Sequence, residues 1–302
     1  MNNALTPAVR FTRTRIAPTP SGYLHLGNVL SFALTATLAA RHGARILLRI
    51  DDLDRQRAQP AYIQDIFDTL DFLELPWHEG PRSAQEFEQQ YSQVHRLPLY
   101  QKALEELKDK DAVFACDCSR SQLQQTDAGS GYTGRCITRK LSLDTPEVNW
   151  RIHTGKDTRL TVNTLTNPIT THLPRDQKDF VIRKKDGFPS YQLASVIDDQ
   201  YFDVDLIVRG MDLWPSTLAQ LYLANVLGTD SFTKSTFYHH PLLTQPDGNK
   251  LSKSAGSTSI QHLRKSGKTP ANIYTSISTQ AGIPGPIKTW QELGDKLLAI
   301  KE

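Results

Sequence analysis

Residues 13–30 read RTRIAPTPSGYLHLGNVL, and a second strand-like run, RILLRI, follows at residues 45–50. The first five residues of the stretch are read as a strand. Pro18-Thr19-Pro20 ends it, because each proline holds the chain extended and removes a backbone donor. Ser21-Gly22 then allows a sharp turn. A helix is expected from about Gly27 to Arg41, with Leu30, Leu34 and Leu38 recurring on one face and Gly43 as the C-terminal cap. Strand, helix and strand in this order make a βαβ unit, the start of a parallel sheet covered by helices.

Outward from this unit the pattern is mixed. Helices are expected at residues 60–73 and 92–108, separated by Leu75-Pro76-Trp77. Residues 129–134 are loop-like and lie within a cysteine group, and the Thr-rich stretch 156–174 is read as an insertion with short strands. Strand signals return at 180–183 and 206–208. A helix is expected at 216–227 with Ser216 as its cap, and the chain after Ile260 reads as helical and basic.

The totals fit a globular fold. The chain has 302 residues, 38% hydrophobic and 22% charged, with a net charge of +3. That profile argues against disorder, and no apolar run approaches the roughly 20 residues that span a bilayer. Residues 1–14 hold no apolar core ahead of a small-residue cleavage site. The expectation is a cytoplasmic protein with no membrane partner and no obligate protein partner. The three cysteines are an odd, clustered set, which suits a metal better than a disulfide framework.

Two segments can carry nucleotide chemistry. In the first, a strand feeds a loop that opens on a helix N-terminus, where backbone N–H groups and the helix dipole favour phosphate. Gly27 lets a flat ligand approach the backbone, and His25 can donate to a phosphate oxygen as charge builds up. The second is Lys250-Leu251-Ser252-Lys253-Ser254, whose lysines can neutralise a triphosphate. Either alone is an ordinary histidine loop or a solvated basic loop.

Together, in this order, they resemble the paired HIGH and KMSKS signatures of class I aminoacyl-tRNA synthetases. Further segments look like the glutamyl branch of that class: residues 48–54, LRIDDLD; residues 179–194, DFVIRKKDGFPSYQLA; and residues 207–213, IVRGMDL. The resemblance implies an α/β fold, a Rossmann-like class I synthetase catalytic core with a parallel sheet, a small zinc-binding insert and a short helical C-terminal part. It places the first half of the core at 1–112, the insert at 113–175, the second half at 176–255, and a helical segment with no anticodon-binding domain at 256–302.

The same resemblance implies roles. Thr19, His25, Gly27, Asn28, Lys250, Leu251, Ser252, Lys253 and Ser254 would bind ATP, with His25 and Lys253 catalytic and Mg²⁺ accompanying the nucleotide. Arg15, Ala17, Thr19, Asp51, Tyr191 and Arg209 would hold L-glutamate. Arg15, Tyr191 and Arg209 would clamp its carboxylates, a task that planar guanidinium suits, and Asp51 would take its ammonium. The family usually has Glu where this chain has Asp51. Being one methylene shorter, Asp must reach the ammonium differently or through water.

Cys116, Cys118 and Cys136 suit Zn²⁺, which favours tetrahedral sulfur-rich sites. From the residues alone the fourth ligand is open among Asp117, Asp127 and water. Around the cysteines the chain resembles the glutamyl-queuosine tRNA(Asp) synthetase family, and there the matching ligand is Tyr132. The zinc would be structural, tying down an insert that faces RNA. Only 48 residues follow Ser254 (302 − 254), so a large anticodon-binding region is not expected. The implied reaction is ATP-dependent activation of glutamate and transfer to queuosine in the anticodon loop of tRNA(Asp). The alternatives are a truncated enzyme charging a tRNA 3′ end and a non-catalytic RNA-binding paralogue. Basic groups at Arg135, Arg139 and Lys140, at Arg183, Lys184 and Lys185, and at Arg264, Lys265 and Lys268 can meet RNA phosphates.

Overall fold

The structure is a computed structural model and describes residues 9–119, 122, 131–155, 158–243 and 259–299. In chain order the main elements are β1 (Arg13–Ile16), α1 (Leu26–His42), β2 (Arg45–Leu48), α2 (Pro60–Phe72), α3 (Leu97–Asp109), β3 (Val113–Cys116), β4 (Asn149–Ile152), β5 (Arg159–Thr164) and β6 (Ile169–His172). They continue with β7 (Val181–Arg183), α4 (Tyr191–Tyr201), β8 (Leu206–Gly210), α5 (Trp214–Leu227), β9 (Thr236–His240), α6 (Ile260–Lys265), α7 (Pro270–Gln280) and α8 (Trp290–Ala299). The chain divides into two units. One comprises Met1–His95, Leu206–Met211 and Tyr238–Glu302; the other comprises Arg96–Asp205 and Asp212–Phe237.

In the first unit the opening stretch folds as its residues direct. β1 runs parallel to β2 in register, Arg13 to Ile16 opposite Arg45 to Leu48, and Thr14 lies opposite Leu206 of β8. The strand order is β2-β1-β8-β9. Backbone pairing outlasts β1 and β2, because Arg49 N–H reaches Ile16 O and Asp51 N–H reaches Pro18 O, both at 2.9 Å. α1 begins at Leu26 and ends at Gly43, which takes the left-handed conformation (φ 75°, ψ 18°) expected of a C-terminal cap. Leu30, Leu34 and Leu38 are buried. α8 crosses α1 so closely that a Cβ on Gly294 would lie 1.8 Å from Thr37 Oγ, so only glycine permits the crossing.

The helix expected from residue 92 starts at Leu97. Ser92 is buried, its hydroxyl donating to Asp52 at 2.6 Å, and Gln93 N–H donates to the same carboxylate at 2.8 Å. Those bonds bend the chain, and a single turn of Gln93–Arg96 intervenes before Pro98 sits in the first turn of α3. Among the described residues no helix is long and apolar enough to cross a membrane.

In the second unit β3, β4 and β7 form an antiparallel sheet. β5 and β6 pair as the expected short strands, and Asn163 and Thr164 run parallel to Thr236 and Phe237. α4, which the sequence reading did not foresee, is capped by the Ser190 hydroxyl. Its Asp198 is buried and accepts from Arg96 (Nε 2.7 Å, Nη2 3.1 Å) and from Tyr100 Oη (2.7 Å). α5 starts at Trp214, two residues ahead of the expected cap. Pro215 occupies its first turn, and Ser216 Oγ instead accepts from Gln192 Nε2 at 3.2 Å.

Candidate active site and cysteine centre

The ends of β1 and β8 place several expected residues together in the first unit. Arg15 is buried and its Nη1 donates to Val208 O at 3.3 Å. With Thr14 opposite Leu206, three residues on in each strand bring Ala17 level with Arg209 (14 + 3, 206 + 3). Arg209 is also buried. The bond from Asp51 N–H to Pro18 O carries the β1–β2 register on and sets Asp51 opposite Thr19, which is exposed. Carboxyl ends of parallel strands are where open α/β sheets bind ligands.

Asp51 has a partner that the sequence reading missed. Arg49 grips it with two bonds, Nε to Oδ1 at 2.8 Å and Nη2 to Oδ2 at 3.1 Å, and both side chains are buried. The signal was available, since residues two apart on an extended strand share a face.

His25 is the N-cap of α1, with extended backbone (φ −127°, ψ 173°). Its Nδ1 accepts from Gly27 N–H at 3.1 Å, and its own N–H donates to Asn28 Oδ1 at 3.0 Å. This reciprocal pair is a capping box. An Nδ1 that accepts carries no proton, so the neutral ring has its proton on Nε2. The exposed ring therefore offers Nε2–H as a donor beside the positive end of the helix dipole. Gly27 serves the ring directly: a Cβ there would lie 3.0 Å from His25 Cε1 and 3.1 Å from Nδ1. Beyond the second signature the chain returns to this loop. Ser259 forms an antiparallel bridge with His25, and Ile260 N–H donates to Leu24 O at 2.7 Å. Lys250, Leu251, Ser252, Lys253 and Ser254 lie outside the described residues.

Tyr191 belongs to the second unit, where it is the first residue of α4 and is 43% exposed.

The second unit also holds the cysteines. The sulfurs of Cys116, Cys118 and Cys136 lie within 4.8 Å of one another and all three residues are buried. Cys118 and Cys136 sulfurs lie 3.4 Å apart, far beyond the roughly 2.05 Å of a disulfide. Three thiolates on one tetrahedral zinc sit about 3.8 Å apart, given Zn–S bonds of about 2.3 Å, so the group fits a metal. Tyr132 packs on the cluster beside Phe114, and its Oη accepts from Cys136 N–H at 2.6 Å. Arg151 lies over the Tyr132 ring at 4.1 Å. Burial pushes the Cys118 thiol up to about 12, helped by its hydrogen bond with Cys136. Cys136 goes the other way. Burial is the largest influence and raises it, but hydrogen bonds from Tyr132, Cys118 and Cys116 together hold it below the usual thiol value. Burial, then the bond to Cys136, raises the Tyr132 phenol; a dication would reverse that. Asp117 Oδ1 lies 3.5 Å from Cys136 Sγ but is bound by Arg139 at 2.6 Å. Asp127 lies outside the described residues.

Comparison with known proteins gives a consistent picture. The family described as tRNA synthetases class I (E and Q), catalytic domain, matches residues 12–284. The chain is 34% identical over 273 residues to a glutamate--tRNA ligase of Dehalococcoides mccartyi, covering 88% of this chain and 55% of that protein. It is 33% identical over 293 residues to a protein named glutamyl-Q tRNA(Asp) synthetase from Symbiobacterium thermophilum, covering 91% of this chain and 88% of the other. A protein of the same name from Pseudomonas aeruginosa is 36% identical over 249 residues, covering 80% and 76%. The chain thus spans about half the length of the glutamate--tRNA ligases it matches. Among solved structures, a glutamate-tRNA synthetase from Elizabethkingia anophelis superposes with a TM-score of 0.74 at 23% identity, over 94% of this chain and 65% of that one. That likeness is one of fold.

Proposed function

From a chain that belongs to the family of class I tRNA synthetase catalytic domains for E and Q, we propose an enzyme that activates glutamate with ATP and passes the glutamyl group to queuosine in the anticodon loop of tRNA(Asp). The observation that carries the reading is the His25 cap: an exposed Nε2–H donor at a helix N-terminus, in the same unit as buried Arg15 and Arg209 on adjacent parallel strands.

In the first step an oxygen of the glutamate α-carboxylate attacks the α-phosphorus of ATP and pyrophosphate leaves. No enzyme nucleophile is required. His25 donates from Nε2 to phosphate oxygens, and the α1 N-terminus favours the same charge. Lys253 neutralises the departing pyrophosphate, and Mg²⁺ enters with ATP. Arg15 and Arg209 hold the substrate carboxylates. Asp51, fixed by Arg49, accepts from the ammonium. In the second step a queuosine hydroxyl attacks the carbonyl of the mixed anhydride, AMP leaves, and the hydroxyl proton goes to solvent.

Cys116, Cys118 and Cys136 would hold a structural Zn²⁺ with Tyr132 as fourth ligand. Four protein ligands leave no open position, so the ion would tie down its loop and not act on substrate.

The relatives named glutamyl-Q tRNA(Asp) synthetase and the Cys-x-Cys, Tyr, Cys pattern support queuosine as acceptor. The similarity to glutamate--tRNA ligases supports a second reading, transfer to a tRNA 3′ end. ATP–pyrophosphate exchange with each amino acid tests the first step; dependence on glutamate is expected, and no exchange with any amino acid overturns the proposal. tRNA(Asp) made without queuosine separates the acceptors, because retained glutamylation would favour the 3′ end.

A further inference from the structure

The loop bearing His25 is stitched from two sides by residues with no role in the reaction as written. On one side, Ser259 and Ile260 pair with His25 and Leu24. Ser259 Oγ also caps α6, accepting from His262 N–H at 3.2 Å, and Ile260 is fully buried. On the other side stands α2. Tyr62 meets Tyr23 edge-on at 4.9 Å between ring centroids, and the Leu24 backbone is among the groups that oppose the rise of the Asp65 carboxyl. One side chain joins the two sides. Arg264, one turn beyond Ile260, donates from Nη2 to Asp65 Oδ1 at 3.2 Å and to Asp68 Oδ2 at 3.1 Å.

Surface ion pairs contribute little, but this one is not at the surface. Arg264 is 22% exposed and Asp65 only 2%. Burial raises the Asp65 carboxyl and Arg264 is the chief opposing influence. Without the guanidinium, the buried carboxylate would face Asp68 with no cation against it. Its Oδ2 has no hydrogen bond of its own, so the bond from Arg264 to Oδ1 ties this buried side chain to α6.

We propose that Arg264 is a positioning residue: by clasping Asp65 and Asp68 it seats α6, and with it the Ser259–Ile260 pairing that fixes the backbone of Leu24 and His25. It acts on the reaction only through His25. The extended backbone of His25 sets where its ring stands over Gly27, so releasing α6 lets the ring leave the Nδ1-acceptor geometry. The consequence for rate rests on the adenylate-forming reading above; the consequence for the ring does not.

The test uses the full chain with Arg264→Gln, Arg264→Lys and Asp68→Asn, each checked for folding by circular dichroism. Two readouts are taken. Side-chain ¹⁵N NMR of His25, assigned with His25→Gln, reports its tautomer without turnover. Glutamate-dependent pyrophosphate exchange reports kcat and KM separately. Arg264→Gln is expected to mix the tautomers and lower kcat about tenfold, within the range for sub-ångström misplacement, with the KM for glutamate unchanged. Arg264→Lys should recover most of both, and Asp68→Asn should fall between. A wild-type His25 signal in Arg264→Gln overturns the inference, as does an unchanged kcat. A wild type with no exchange at all, but a His25 signal that shifts in Arg264→Gln, overturns the reaction assignment and leaves the clasp standing.

Discussion

Replacing Gly27 by Ala should separate activity from stability. The new Cβ would lie 3.0 Å from His25 Cε1 and 3.1 Å from Nδ1, where ordinary contacts run from 3.4 to 4 Å. Gly27 has helical neighbours and no left-handed backbone, so the peptide has no reason to move, and the ring must yield by about half an ångström. That movement spoils the Nδ1 bond to the Gly27 N–H, a capping interaction that contributes about 1 kcal/mol. Ala in place of Gly at a compatible position returns about 0.4–1 kcal/mol by narrowing the unfolded ensemble. The two nearly cancel, so thermal unfolding should stay within about 2–3 °C of wild type. The rate should not be spared. A ring displaced by half an ångström loses its alignment with developing phosphate charge, and kcat for pyrophosphate exchange should fall about tenfold. A variant with full exchange activity would refute the idea that Gly27 serves the ring, and one that unfolds many degrees earlier would refute the cancellation.

Three further outcomes are expected. Asp198→Asn strips the partner from buried Arg96, and urea unfolding should show a loss of about 3–5 kcal/mol. Burial would raise the Glu79 carboxyl, but hydrogen bonds from Arg13 and Arg45 outweigh it and hold the pKa below its ordinary value. Its stabilisation is therefore present above the unfolded value and lost as pH falls through the folded one; Glu79→Gln should flatten that acid limb in a pH series of melting curves. Cys118→Ser should abolish stoichiometric zinc, measured by elemental analysis of the purified protein, and lower its melting temperature; unchanged metal content would remove Cys118 from the ligand set.

The sequence was most legible where backbone chemistry is strictest. Prolines, a turn pair, a four-residue leucine repeat and Gly43 together specified β1, α1 and β2 nearly to the residue. α4 was hidden because its inward face carries Asp198 and Asp199 among Leu193 and Val196; charges that are paired inside the fold look like surface in a pattern of apolar residues. The expected start of α3 failed for a related reason: Ser92 and Gln93 are bound to a carboxylate 40 residues away, at Asp52, and no local propensity reports a partner that distant. At the site, the three cysteines announced themselves by clustering and meet in space. The Arg49–Asp51 pair and the Arg264 clasp did not, because each requires knowing which faces the chain turns inward.

One nitrogen of His25 is occupied by the helix it caps. While Nδ1 accepts from the Gly27 N–H, the ring gives a hydrogen bond outward from Nε2, and taking a proton at Nδ1 would cost the first turn of α1 that bond. A carboxylate attacking phosphorus needs no base, so the loop's architecture admits the one kind of help that such a reaction can use.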